Sequence, residues 1–286
     1  MYNLKLHAYN IISYVFKRGK MTTRGYFNFE WGQLHYRSVS LGSKLPLLVM
    51  MHQSPLSSRN YDALLPYLAE QFQVIAIDTP GFGNSDRLNT DWEVKDYANL
   101  AFECANKLGQ ETFYLFGRAT GSVFALEALL LNPKRINKLI LHGIPVYTPD
   151  ERKQRLADFA PPYEILDDGS HLKWIWDRIH NEYPWIDAEL ATNNLKDFLD
   201  CGPDFAASYR SIWRHDLPER VGELINSIHN AILLIAGEND RIGFMHERAV
   251  KLLPSAEVEF IEKATDFVAE QNPKLFSQIL INFLKN

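Results

Sequence analysis

Short runs of wholly apolar residues, each followed by a Gly- or Pro-marked turn and then by a helix-like segment, constrain this chain more than any other feature. LPLLVMM (45–51), QVIAID (73–78), TFYLFG (112–117) and KLILHG (138–143) are such runs, and AILLIAG (231–237) and VEFIE (258–262) extend the series. A strand with no polar alternation must be covered on both faces, which requires a parallel sheet with helices on either side. Between the runs lie the intervening helical segments NYDALLPYLAEQF, Val94–Leu108 and Ser122–Leu131, and a last one runs from Pro273 to Leu284. Upstream, FNFEWGQLHYRSV alternates and breaks at Gly32, as an antiparallel hairpin opening the sheet would. The expected fold is therefore α/β, a doubly wound, mostly parallel sheet of eight strands.

The rhythm stops between about Pro145 and Val221. This stretch carries Trp174, Trp176, Trp185, Trp213, Tyr163, Tyr183 and the helical segment DERKQRLADF, with no buried-strand run. A helical cap over 145–221 is expected, inserted into a core of 25–144 and 222–286, with 1–24 as an N-terminal extension. The cap's aromatic residues could line an apolar pocket against the core or simply pack among themselves. In the extension, the apolar stretch Tyr9–Phe16 is too short to span a bilayer and lacks the features of a secretory signal. Three accounts of it stand open: a frayed end, an upstream start with Met21 as the true beginning, and a weak membrane-surface or partner-binding helix.

Charge and cysteine content exclude several function classes. Lys+Arg 30 against Asp+Glu 35 gives a net charge of -5 with no basic stripe, which argues against nucleic acid as a partner. Cys104 and Cys201 lie far apart and form no ligand spacing, so neither a disulfide framework nor a metal site is expected, and a reducing, cytoplasmic setting fits. Nothing implies a cofactor. The expected partner is a small-molecule substrate or ligand, without firm membrane association, and the oligomeric state is open.

Five landmarks in order then carry a resemblance. They are the strand ending in His52-Gln53, the turn Asp78-Thr79-Pro80-Gly81-Phe82-Gly83-Asn84-Ser85, and LFGRATGSVFALEALLLNP with its Gly117-x-x-x-Gly121 frame; LLIAGENDRIG and VEFIEKATDFVAEQNP complete the series. The chain resembles the α/β-hydrolase superfamily over roughly Gly25 to Leu284, and the glycine frame resembles that family's nucleophile elbow. The resemblance implies triad positions at Ala119 for the nucleophile, Asp240 for the acid and Asp266 for the histidine, with oxyanion-hole donors at Gln53 and Thr120. Only the acid is of the expected type. A methyl group cannot attack a carbonyl, and Asp266 beside Asp240 would face like-charge repulsion unless the pair shared a proton. A laboratory Ser→Ala change would leave the histidine position alone, so natural divergence is the better account.

Other residues near these positions carry weaker signals. His52 is either a packed histidine or a pocket group; His142, at a strand end, is either a satisfied buried histidine or a displaced base. Arg118, next to the elbow, is expected to contact Asp240 or Asp266 in place of the lost acid-histidine contact, with Arg241 as competitor. Ser122 is read as a helix-start hydroxyl rather than a displaced nucleophile. Two functions follow from the resemblance and stay open here. One is an enzyme acting on a small apolar carbonyl or ester-like compound by non-serine chemistry; the other is a catalytically silent pseudo-hydrolase that binds a ligand or protein partner.

Overall fold

The computed structural model of the chain describes residues 21–224 and 228–286. In chain order its elements are β1 (Thr23–Phe29), β2 (Gly32–Val39), β3 (Leu47–Met51), α1 (Leu65–Leu68), β4 (Gln73–Ile77), α2 (Val94–Lys107), β5 (Phe113–Arg118), α3 (Thr120–Leu131) and β6 (Ile136–His142). Then come α4 (Pro149–Asp158), α5 (Ser170–Glu182), α6 (Ala188–Cys201), α7 (Ala207–Arg214) and α8 (Leu217–Leu224). β7 (Ala231–Asn239), α9 (His246–Leu252), β8 (Glu257–Thr265), α10 (Val268–Gln271) and α11 (Pro273–Lys285) complete the fold. The eight strands make one sheet in the order β1-β2-β4-β3-β5-β6-β7-β8. β2 runs antiparallel to β1 and β4, and every other neighbouring pair is parallel.

The apolar runs are explained by two separate cores. Alternate residues of each strand go to opposite faces. Val49, Met51, Ile75, Leu115, Leu139 and Leu234 meet α2 and α3 on one side. Leu48, Met50, Val74, Phe116, Ile140 and Leu233 meet α1 and α11 on the other. α3 is buried from Thr120 to Leu130, which is why it reads as apolar all round rather than amphipathic.

One expected helix is interrupted. NYDALLPYLAEQF forms a 3-10 turn at Ser58–Tyr61 and then only the single turn of α1. Pro66 lacks an N–H and its ring clashes with the carbonyl four residues back, so a continuous helix cannot form across it. The hairpin starts earlier than the alternation suggests, at Thr23, with Phe29 opposite Gly32. Residues 1–20, including Tyr9–Phe16, lie outside the described residues.

Parallel register brings the strand ends together. Arg118 at the end of β5 lies opposite His142 at the end of β6, and His142 lies opposite Ile235 of β7. The loops leaving β7 and β8 carry Asp240 and Asp266 to the same edge, the crevice outside the carboxyl ends of the strands where open α/β sheets place their sites.

Candidate functional site

A one-residue turn at Ala119 joins β5 to α3, with φ +48° and ψ −111°. This is unfavourable backbone for a residue with a Cβ, of order 1–3 kcal/mol. The flanking glycines have a steric reason. A Cβ on Gly117 would lie 2.3 Å from the Gly121 carbonyl oxygen, and one on Gly121 would lie 2.4 Å from that of Met51. The His142 carbonyl receives the Ala119 N–H at 3.0 Å and the Ser122 hydroxyl at 3.1 Å. Ser122 also approaches the Gly117 carbonyl at 2.7 Å, so its hydroxyl is held to the backbone of the turn.

Arg118 occupies the centre of the arrangement. It is 4 % exposed, and its guanidinium reaches both aspartates: Nη1 is 3.2 Å from Asp240 Oδ2 and Nη2 is 3.0 Å from Asp266 Oδ1. Nε donates to the Asp266 carbonyl at 3.3 Å and Nη1 to that of His142 at 3.3 Å. Each carboxylate has a further backbone donor. Ile242 N–H bonds Asp240 Oδ1 at 3.0 Å, and Arg241 N–H bonds Asp266 Oδ2 at 2.9 Å. Burial raises the Asp266 pKa; Arg118 opposes that rise and the neighbouring Asp240 adds to it. The Arg241 side chain turns elsewhere, to Glu182 at 3.4 Å and over the Tyr183 ring at 5.2 Å.

His142 faces this cluster from behind. Burial and then the Arg118 charge push its imidazole well below the usual range, so it is neutral at physiological pH. Its Nε2 has no hydrogen-bond partner among the described residues and stands 3.9 Å from Asp240 Oδ2. His52 is held on both sides of its ring: Nδ1–H donates to the Gln53 carbonyl at 2.9 Å and Nε2 accepts the Thr79 N–H at 3.0 Å.

Gln53 and Thr120 are both buried. The Thr120 hydroxyl accepts the Ser54 N–H at 2.7 Å and donates to Ser54 Oγ at 3.1 Å, while Ser208 and Tyr209 of α7 bond the same serine. Gly143, Ser54, Ser208 and Tyr209 thus join the site without having stood out in the sequence. Only Gly143 carries a usable signal, a glycine directly after a buried strand. A Cβ there would fall 2.1 Å from Arg118 Nη1 and 2.8 Å from Asp240 Oδ2, at φ +59°.

Five cavities among the described residues are lined by residues other than Ala119, Gln53, Thr120, Asp240 and Asp266. The aromatic residues of α5 and its flanks pack on one another instead. Tyr163 meets Trp174 at 5.9 Å and Phe205 at 6.4 Å, and both Tyr183 and Trp185 pack on Phe267, at 5.0 and 5.7 Å. Trp176 packs on His180 at 4.7 Å.

Comparison with known proteins agrees with the architecture. A family model described as alpha/beta hydrolase fold matches residues 46–273. The uncharacterized hydrolase YugF of Bacillus subtilis (strain 168) is 26% identical over 247 residues, covering 83% of this chain and 89% of that protein. Carboxylesterase YbfK of the same organism is 22% identical over 276 residues, covering 91% and 86%. Among solved structures, an E-2-(acetamidomethylene)succinate hydrolase superposes with a TM-score of 0.72 at 20% identity, covering 93% of this chain and 100% of that one. Epoxide hydrolase A from Mycobacterium thermoresistibile does so with a TM-score of 0.74 at 17% identity, covering 93% and 99%. At these identities the structural likeness speaks for the fold alone.

Proposed function

The chain belongs to the α/β-hydrolase fold family, and within it we propose a catalytically silent member that keeps the scaffold for binding rather than for ester hydrolysis. One observation carries this reading: Arg118 is bound to Asp240 and Asp266 together, beside an alanine at the elbow. A serine-hydrolase reaction needs a nucleophile, a base within hydrogen-bond reach and an acid to orient that base. Ala119 supplies no nucleophile. The acid lies 3.2 Å from a guanidinium that cannot deprotonate in a protein, and the His142 imidazole beside it stands 3.9 Å away, outside hydrogen-bond reach. The neighbouring histidines are held in the interior, His52 by two hydrogen bonds and His142 by burial.

The other reading, proton sharing between Asp240 and Asp266 in non-serine chemistry on a small carbonyl compound, gains less from the geometry. Arg118 already supplies the positive charge that would otherwise have to come from a shared proton. The five helices α4–α8, from Pro149 to Leu224, support reading the expected 145–221 segment as a cap, with α8 running three residues past it, and a small molecule is the partner that suits such a scaffold.

The test is a hydrolysis screen with acyl esters, epoxides and carbon-carbon substrates, comparing wild type with Asp240→Asn. Neither should turn over any of them above background, and Ala119→Ser combined with Asp266→His should stay inactive while Arg118 is present. Turnover by the wild type that disappears in Asp240→Asn would overturn the proposal.

A further inference from the structure

Away from the elbow, a cavity of about 180 Å³ opens between the turn that follows β4 and the facing ends of α6 and α7. Pro80, Phe82, Arg87, Tyr97, Cys201 and Ala207 are among its walls, and it shares no lining residue with the Ala119, Gln53 and Thr120 site.

Two of its wall residues have hydrogen-bonding capacity to spare, the buried Tyr97 and the exposed Arg87. Tyr97 is 1 % exposed, its ring stacked on Phe124 at 4.5 Å and set edge-on to Trp92 at 5.4 Å. No described residue hydrogen-bonds its hydroxyl, although the side chain lines the cavity and burial raises its pKa. Buried tyrosine hydroxyls usually find a hydrogen-bond partner. Arg87 donates from Nη2 to the Asp200 carbonyl at 3.1 Å and has no carboxylate within ion-pair distance among the described residues. The two acidic wall residues are already engaged. Arg210 holds Asp91 through Nε at 3.1 Å and Nη2 at 2.9 Å, and Asp204 through Nη1 at 2.6 Å and Nη2 at 2.9 Å. The cavity therefore presents an exposed guanidinium and a buried phenol without a hydrogen-bond partner among the described residues, while its two carboxylates share Arg210 and Asp91 also lies 3.4 Å from Arg214.

We propose that this cavity is a binding site for a small hydroxy- or oxocarboxylate, with the carboxylate on the Arg87 guanidinium and the second oxygen on the Tyr97 hydroxyl. A guanidinium fork suits a planar carboxylate, and a phenol can donate to a ketone or exchange hydrogen bonds with an alcohol. A cation would meet Arg87 as a like charge. The site stands whether or not the elbow turns over a substrate, since the two share no residue.

Isothermal calorimetry on the full chain tests it, with 3-hydroxybutyrate as probe and butyrate and 1,3-butanediol as single-function controls. The hydroxy acid should bind tightest. Arg87→Met should weaken it about tenfold or more, the size of one charge-assisted hydrogen bond. Tyr97→Phe should weaken it about fivefold, the size of a neutral hydrogen bond, and leave butyrate unchanged. Ala207→Leu, which adds bulk at the cavity wall and leaves both polar side chains in the sequence, should abolish binding while the thermal transition shows the variant folded. The proposal is overturned if wild type binds none of the three probes, if 1,3-butanediol binds as tightly as the hydroxy acid, or if Arg87→Met or folded Ala207→Leu binds like wild type.

Discussion

Arg118 donates from Nη2 to Asp266 Oδ1 at 3.0 Å, an ion pair between the last residue of β5 and the loop after β8, with both side chains almost wholly buried. The same guanidinium lies 3.2 Å from Asp240, so one cation ties three strand ends together. Removing one member of a buried pair leaves an unpaired charge and costs about 3–5 kcal/mol. Arg118→Met should lower stability by that order in urea unfolding. In an Asp240→Asn, Asp266→Asn background the loss should shrink clearly, because the charges that need compensation are gone. Equal losses in the two backgrounds would refute the coupling.

Gly143 should be as sensitive as the charged residues. A methyl group there would overlap Arg118 Nη1 at 2.1 Å in a backbone with φ +59°, so Gly143→Ala should cost about 1–3 kcal/mol. Much of that cost should vanish when Arg118 is also Met, leaving the left-handed backbone penalty. Denaturant midpoints of the two single variants and the double variant give the comparison.

Ala119 holds a strained turn with a side chain that forms no bond there. Ala119→Gly should therefore stabilise the fold, by up to about 1 kcal/mol once the larger entropy of the unfolded glycine is subtracted. A rise in melting temperature is the expected result. A fall would mean that the methyl group packs more than it strains.

Two buried carboxylates should give stability opposite dependences on pH. Asp197 has a side chain 1 % exposed, and burial raises its pKa from 3.8 to about 7, partly offset by Arg59 at 3.7 Å and the Ser57 hydroxyl at 2.8 Å; Asp78 and Asp200 add to the rise. Its folded pKa lies above the unfolded value, so its contribution is full below about pH 4 and is lost as pH rises through about 7. Asp78 goes the other way: burial raises it, but the hydrogen bond from His35, the charges of His52 and His35 and the Ser58 N–H outweigh that and lower it from 3.8 to about 2. Its contribution is present above about pH 4 and is lost as pH falls through about 2. Asp197→Asn should reduce the decline between pH 4 and 8 in chemical unfolding without changing the acid limb below pH 4, and the part that remains is owed to Glu270, which burial raises from 4.5 to about 8. A wild-type profile flat from pH 4 to 8 would contradict the Asp197 part.

Local pattern and chemistry made the scaffold legible. Val49 and Leu48 belong to different cores, yet both had to be apolar, so the strand β3 reads as a continuous run with no knowledge of its neighbours. The glycines at 117 and 121 and the acid at 240 were legible through the family resemblance, because a tight turn and the strand-end segment after β7 keep a recognisable local sequence. The broken helix around Pro66 lay in the sequence too, but amphipathic spacing hid the effect of one missing N–H.

What the sequence determined by itself is therefore the sheet and the residue types at its carboxyl edge, including the absence of a hydroxyl at 119. Tertiary structure alone decided which charges meet there, because Arg118 and Asp266 are 148 residues apart and sequence spacing does not limit contacts at that range. It also decided that Arg241 turns away to Glu182, that Gly143 must leave room for a guanidinium, and that the tryptophans of α5 pack on their neighbours. The physical reason is common to all of these. Burial converts a pair of opposite charges from a weak surface contact into one that cannot be left unpaired, and burial is a property of the folded chain.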